Sequence, residues 1–211
     1  MNLVNTQDNS TTQLFAGDFP RVTKFVTILT GVILVLGTLL GKILLGAAAS
    51  AAKTGGNTGN GTLTLDVTTP ILARAKAGIY SVRCIAAAAN GGTFRVTDPE
   101  GYVLGDVSVG STFANQIKFA IADGVVDFIV GDGFDITIAA GSGKYKAYNA
   151  NNVDGSQYPE LILAEAVDAS AGDISAVAYA SGQFNEAVVT GLDANAKALL
   201  IGKPIFFGAV N

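Results

Sequence analysis

Seventeen uncharged residues separate Lys24 from Lys42, within an apolar run, FVTILTGVILVLGTLLGKILLGAAA, that extends from Phe25 to Ala49. A helix crossing a bilayer needs roughly 20 mostly apolar residues, so the uncharged stretch falls short. Its composition opposes a helix as well. Val22, Val26, Thr27, Ile28, Thr30, Val32, Ile33, Val35 and Thr38 are β-branched, stiff at χ1 and suited to a pleated sheet. Gly31, Gly37, Gly41 and Gly46 recur every four to six residues, the spacing of short strands interrupted by turns. The run is therefore expected to form buried strands. The competing reading takes residues 25–45 as the membrane span of a surface-anchored adhesin, with β domains over 62–211.

The rest of the composition narrows the function. The chain of 211 residues is 49% hydrophobic and only 14% charged, with 26 glycines, which suits a subunit that hides surface against other subunits. The net charge of −4 argues against a nucleic-acid partner, which would need a basic face. Residues 1–53 carry +2, whereas residues 54–143 and 144–211 carry −3 each. There is no histidine, which removes the commonest general base, metal ligand and pH switch together. The single cysteine, Cys84, cannot close a disulfide within the chain and reads as a small buried strand residue, compatible with a reducing cytosol. The opening Met-Asn-Leu-Val lacks the basic region and early apolar core of a secretory signal.

Along the chain, the polar stretch Asn5–Thr12 precedes Leu14, Phe15, Phe19 and Pro20. Residues 1–20 read either as a frayed terminus or as an arm that orders on a partner, with Leu3, Val4, Leu14, Phe15 and Phe19 as apolar teeth. Strands are expected at Arg21–Thr30, Val32–Leu36 and Thr38–Leu45. The Gly/Asn-rich segment Lys53–Gly61 then marks a boundary. Residues 62–139 alternate cleanly: Tyr80, Val82 and Cys84; Phe94 and Val96; Ile117, Phe119 and Ile121; Phe134, Ile136 and Ile138. Period-2 patterning with turn signals between the runs predicts a β-sandwich over 54–142, closed by Gly141-Ser142-Gly143. Further strands are expected at Tyr145–Tyr148, Pro159–Val167, Ile174–Ser181 and Ile205–Ala209. One short helix is expected at Leu192–Ile201, capped by Asp193 or Asn195 and stopped by Gly202 and Pro204.

No motif proposes an enzyme. Gly141-Ser142-Gly143-Lys144 lacks the glycine and hydroxyl residue of a phosphate loop, because Ile138 and Tyr145 occupy those positions. The window Asn149–Glu160 has Val153 and Asp154 where a Ca²⁺ loop needs an oxygen donor and a glycine. Asp123, Asp127, Asp132 and Asp135 read as solvated turn and strand-face acids rather than a cation site. No G-x-S-x-G elbow occurs, and no serine stands out for Ser–Lys chemistry. No catalytic, cofactor-binding or metal-binding residue is assigned, and no cofactor is expected.

The two ends of the chain, without the middle, resemble the lambda-type head decoration proteins of tailed bacteriophages. The resemblance rests on Phe19-Pro20-Arg21-Val22-Thr23, Thr27–Gly31 and Gly37–Ile43, and resumes with Gly143-Lys144-Tyr145 and Asp154–Pro159. It continues through Leu161–Glu165, Val167–Asp173 and Ser181–Glu186, covering about residues 14–53 and 143–211. Here Val32–Leu36 is less polar than that family leads one to expect, and Ala166 stands near an expected acid. The resemblance implies a mainly β fold: a small barrel-like decoration domain of β-tulip type at 21–53 plus 143–211, interrupted by an inserted Ig-like β-sandwich. It implies a homotrimer on the three-fold positions of the expanded capsid exterior, made in the host cytoplasm and stabilising the head. The partners it implies are the major capsid protein, other copies of the chain, and neighbouring trimers or a host surface through the inserted domain, with neither nucleic acid nor membrane. The N-terminal arm, with Leu3, Val4, Leu14, Phe15, Phe19 and Pro20, would bind the capsid by adding a strand to it. Val32, Leu34, Leu36, Phe206 and Phe207 would line a trimer or capsid interface.

Overall fold

The computed structural model describes residues 13–210. The chain opens with β1 (Val22–Ile28), β2 (Ile33–Leu34) and β3 (Leu39–Lys42). It then builds a second compact unit, Leu44–Ser142, from β4 (Leu45–Ala52), β5 (Thr62–Leu65), β6 (Gly78–Ala88), β7 (Gly91–Thr97), β8 (Val103–Ser108), β9 (Thr112–Ala114), β10 (Lys118–Ala122) and β11 (Gly133–Ala140). From Gly143 it returns to the first unit with β12 (Tyr145–Ala147), β13 (Pro159–Leu163), β14 (Val167–Asp168), β15 (Ile174–Asn185), α1 (Ala194–Leu199) and β16 (Ile205–Gly208). The molecule is mainly β, and α1 is the one α-helix among the described residues.

The apolar run is sheet. Residues 25–45 supply most of β1, all of β2 and β3 and the first residue of β4, with turns between them, and among the described residues no helix is long and apolar enough to cross a membrane. The reading of 25–45 as a spanning helix is thereby corrected. The strands of the first unit pair in the order β1-β12-β3-β13-β15, and β15 pairs back onto β1, closing a five-stranded barrel. Val26, Ile28, Leu40, Tyr145, Leu161, Leu163, Ala176 and Ala178 belong to its core. Successive strand residues face opposite sides, yet Leu39 and Leu40 are both fully buried, as are Leu161, Ile162 and Leu163. The reason is a second apolar layer: Leu39 and Ile162 pack with Leu14, Tyr148, Phe184, Val189, Ala196, Leu200 and Ile205 against α1. Strands covered on both sides, as β3 and β13 are, read as continuous apolar runs, whereas the rest of the membrane-like run owes its character to exposed apolar residues such as Phe25, Ile33, Val35 and Leu36.

At Gly41 an added Cβ would overlap the Ser156 carbonyl, so only glycine lets β3 lie this close to the 154–158 loop. That loop is tied by Asp154, which accepts from the Ser156 amide at 3.1 Å and hydroxyl at 2.6 Å and pairs with Lys146 at 2.7 Å. In α1 the cap is Asp193, whose carboxylate accepts from the Ala196 amide at 2.6 Å.

The second unit is a β-sandwich of a five-stranded sheet, β4-β11-β6-β7-β8, and a three-stranded sheet, β5-β10-β9. Every residue of the four predicted alternations faces its core, Cys84 included, and burial raises the Cys84 thiol pKa. One boundary differs from expectation. The chain enters this unit at Leu44, ten residues before residue 54, because the small-residue run is itself a strand: β4 pairs with β11 from Leu45↔Ala140 to Ala52↔Phe134. Alanine carries little β preference of its own, so the pairing came from the partner strand.

Three of the four acids, Asp127, Asp132 and Asp135, hold the fold together. Asp132 is buried and accepts from the amides of Thr58, Gly59 and Ile129 at 2.9–3.1 Å, which pins the Gly/Asn segment rather than leaving it a loose joint. Asp135 pairs with Arg83 at 2.6 Å, and Asp127 accepts from the Asn90 amide at 2.8 Å. Among the described residues no group of three or more potential metal ligands converges.

Candidate functional site

The residues singled out for capsid contact begin in the fold rather than beside it. Leu14–Ala16 runs antiparallel along the end of β15: the Ala16 amide donates to Gln183 O at 3.0 Å, and the Asn185 amide donates to Leu14 O at 2.8 Å. Leu14 is 8% exposed and sits in the second apolar layer. Phe15 meets Tyr179 edge-on at 5.2 Å and Phe184 at 5.5 Å, with the Arg21 guanidinium 4.0 Å above its ring. Neither the ring nor the leucine stands free as an apolar tooth: both pack with the second apolar layer. Leu3 and Val4 lie outside the described residues.

Gly17 carries the chain over the Gln183 side chain, where a Cβ would collide with the amide oxygen. This crossing brings Phe19 onto Phe206 of β16, with ring centroids 4.6 Å apart and planes at 61°. Pro20 is exposed, and its carbonyl accepts from the Ser181 hydroxyl at 2.8 Å. Phe206, 46% exposed, borders an open groove of about 490 Å³ between β16 and the end of α1. Leu200, Ile201, Ile205 and Phe207 line the groove with Glu186, Lys197 and Lys203. Lys197 pairs with Glu186 at 2.6 Å, and Lys203 donates to Pro159 O at 2.7 Å. Ile201 is 83% exposed, although it follows directly on the buried Leu200.

The other predicted interface residues divide. Leu34 is 7% exposed and belongs to the barrel core, with the half-buried Val32 packed against it. Leu36 is exposed, and Phe207 is half-buried against the second apolar layer. The exposed partners of Leu36 are Ile33 and Val35, which sequence reasoning passed over. Five apolar residues in a row, Val32–Leu36, contain no polar member to set the phase of the alternation. Phe25, 81% exposed on β1, was missed for a different reason: its apolar character counted towards a buried strand.

Several charged side chains of this unit are held in pairs. Lys24 reaches Glu160 at 3.2 Å and the Tyr145 hydroxyl at 3.4 Å. Burial would lower the Lys24 pKa, but the Glu160 carboxylate outweighs it and raises the value, so Lys24 stays protonated and is no base at neutral pH. Burial, reinforced by Glu160, raises the Tyr145 pKa. A surface of exposed apolar side chains bordered by paired charges is equipped for protein contact.

The family model for bacteriophage lambda head decoration protein D matches residues 3–201. The chain belongs to that family. It is a structural protein of the phage head, and the family places it on the virion capsid. No curated protein matches the chain. Among solved structures, two crystal forms of Xanthomonas campestris FlgL are similar at 21% and 22% identity, with TM-scores of 0.32 and 0.33. They cover 53% and 51% of this chain, and the chain spans about one third of theirs (34% and 33%). A likeness that weak carries no argument about fold or role.

Proposed function

We propose that this head decoration protein binds the expanded capsid at its three-fold positions as a homotrimer and stabilises it, with the N-terminal arm adding a strand to the major capsid protein. The observation that carries the reading is the set of large apolar side chains exposed on the barrel unit, Phe25, Ile33, Val35, Leu36, Ile201 and Phe206, in a member of a head decoration family. Exposed apolar side chains that adjoin one another, as Val35 and Leu36 do in sequence and Ile201 and Phe206 do along one groove, suit a contact site. A standard interface of about 1,600 Å², with roughly 25 cal/mol per Å² for its apolar part, offsets the cost of association. Repetition over the head multiplies the gain. The second unit, inserted between Ile43 and Gly143, would project from the head and reach neighbouring trimers or a host surface. Synthesis in the host cytoplasm fits a chain with one buried cysteine.

The test is co-sedimentation with expanded, undecorated heads. Binding that saturates at three copies per three-fold position, with heads that resist heat or low salt better once loaded, supports the proposal; protein that stays in the supernatant sinks it. The deletion that tests the arm stops at Thr12, because removing residues to 20 would also take Leu14 and Phe15 out of the packed unit.

A further inference from the structure

We infer that Asn90-Gly91, at the turn between β6 and β7, is a site of spontaneous covalent modification, where the asparagine side chain is converted to aspartate or isoaspartate and the second unit gains a negative charge. The inference stands apart from the capsid-binding reading above. The chemistry needs no enzyme, and its one co-reactant is water. The Gly91 amide nitrogen loses its proton to hydroxide and attacks Cγ of Asn90, which glycine permits best because it has no side chain in the way. A C–N bond forms, the Cγ–Nδ2 bond breaks, and the departing nitrogen takes a proton from water and leaves as ammonia. Water then opens the five-membered imide. Attack at Cγ restores the ordinary chain with an aspartate, and attack at the main-chain carbonyl gives isoaspartate, whose chain runs through the side chain. No group is oxidised or reduced.

The chain contains two Asn-Gly pairs, Asn60-Gly61 and Asn90-Gly91, and the structure separates them. At Asn90 the reacting groups are open. Ala88 pairs with Gly91, so Ala89 and Asn90 form a two-residue loop in which Asn90 is exposed, at φ 53°. Its amide donates to Asp127 Oδ1 at 2.8 Å, but among the described residues its side chain has no hydrogen-bond partner. A Cβ on Gly91 would meet nothing nearer than Ala88 Cβ and Ala89 O at 3.8 Å, so this glycine is free to turn. Asn60-Gly61 is shut. Asn60 Oδ1 accepts from the Val126 amide at 3.0 Å, and the Asn60 amide donates to Val126 O at 3.1 Å. A Cβ on Gly61 would overlap the Ala122 carbonyl and the ring of the fully buried Phe128, so Gly61 is wedged in place. Conversion at Asn90 adds −1 to the net charge of −4, giving −5, and sets a carboxylate on the residue whose amide Asp127 holds. Two like charges so placed repel, and isoaspartate also lengthens the loop by one methylene.

The experiment ages the purified full-length protein at neutral and at mildly alkaline pH, beside a synthetic peptide of residues 86–95. Peptide mass spectrometry follows each asparagine, isoaspartate-specific methylation counts the isoaspartate, and ion exchange reads the added charge. Gly91→Ala is the matched variant: Gly91 lies outside the left-handed region and a Cβ fits there at ordinary contact distance, so the variant folds, which its melting temperature checks. Conversion at Asn90 is expected to run roughly tenfold or more ahead of that at Asn60, where a hydrogen bond and packing must first be given up. It should be faster at the higher pH, because the attacking nitrogen must be deprotonated, and should stay within several-fold of the peptide. Gly91→Ala should slow it by roughly tenfold with melting unchanged. An Asn90 that stays intact in the protein after the peptide has converted overturns the inference. So does conversion of Asn60 at the same rate, or a Gly91→Ala protein that converts as fast as wild type.

Discussion

The Asp132 carboxylate accepts from the Gly59 amide at 2.9 Å across 73 residues of sequence, and with the Thr58 and Ile129 amides it holds one end of the sandwich together. Replacing Asp132 with alanine leaves three backbone donors without their acceptor in a buried setting. The expected cost is about 2–3 kcal/mol, read as a lower melting temperature of the second unit, and Asp132→Asn should recover only part of it. A variant that melts like wild type would show that water replaces the carboxylate.

The same carboxylate sets a pH dependence. Burial alone would raise the Asp132 pKa, but the Gly59, Thr58 and Ile129 amides outweigh it and the value is lowered. Asp98, where Lys76 and the Tyr102 and Glu100 amides outweigh burial, and Asp154, where Lys146 and Ser156 do so, shift the same way. A carboxyl with a depressed folded pKa contributes stability that is complete above the ordinary carboxylate range and is lost as pH falls through the depressed value. Melting temperature should therefore be flat from pH 7 down to about 5 and then drop steeply below about 4. Asp132→Asn should flatten that drop. A melting temperature that rises on acidification would contradict the assignment.

Gly41 tests the barrel. A methyl group there overlaps the Ser156 carbonyl, and the 154–158 loop cannot retreat without breaking the Asp154–Lys146 pair. Gly41→Ala is expected to cost about 3 kcal/mol or more, in the range of overpacked cores. Thermal unfolding of the purified variant measures it.

These tests also mark what could be read from the chain alone. The alternations around Tyr80, Phe94, Phe119 and Ile136 placed the sandwich strands because one face of each is apolar and the other is polar. In the barrel unit the phase was hidden. Leu39 and Leu40 are both buried, and Val32–Leu36 is apolar at every position, so periodicity could not separate Leu34, which is core, from Ile33, which is surface. The strand character of Leu45–Ala52 comes from β11 rather than from its alanines. The Phe19–Phe206 contact joins residues 187 positions apart, and nothing local in either stretch announces it. Asp132 read as a solvated turn acid because the amides that bury it lie in a distant, featureless glycine and asparagine segment.

Leu34 and Leu36 make the last contrast, since the sequence treats them alike and the structure does not. Leu34 packs in the barrel core with Leu40, Leu161 and Val167, and Leu36, two residues on, is about half exposed beside the exposed Val35. Leu34→Ala removes buried methyl groups and leaves a cavity, so it should cost about 2–4 kcal/mol of unfolding free energy. Leu36→Ala should stay within about 0.5 kcal/mol, the ordinary range for surface positions. Their effects on assembly should run the opposite way. Leu36→Lys combined with Ile33→Lys, which sets a lysine rather than a second carboxylate opposite Asp168, leaves the monomer's melting unchanged yet weakens self-association, measured by sedimentation velocity over a concentration series, because a charge on each residue must be desolvated in any contact that covers it. If the double variant associates as wild type does, the 33–36 surface is not a contact between copies, and any such contact has to be sought around Phe25 on β1, the more exposed of the two apolar sites.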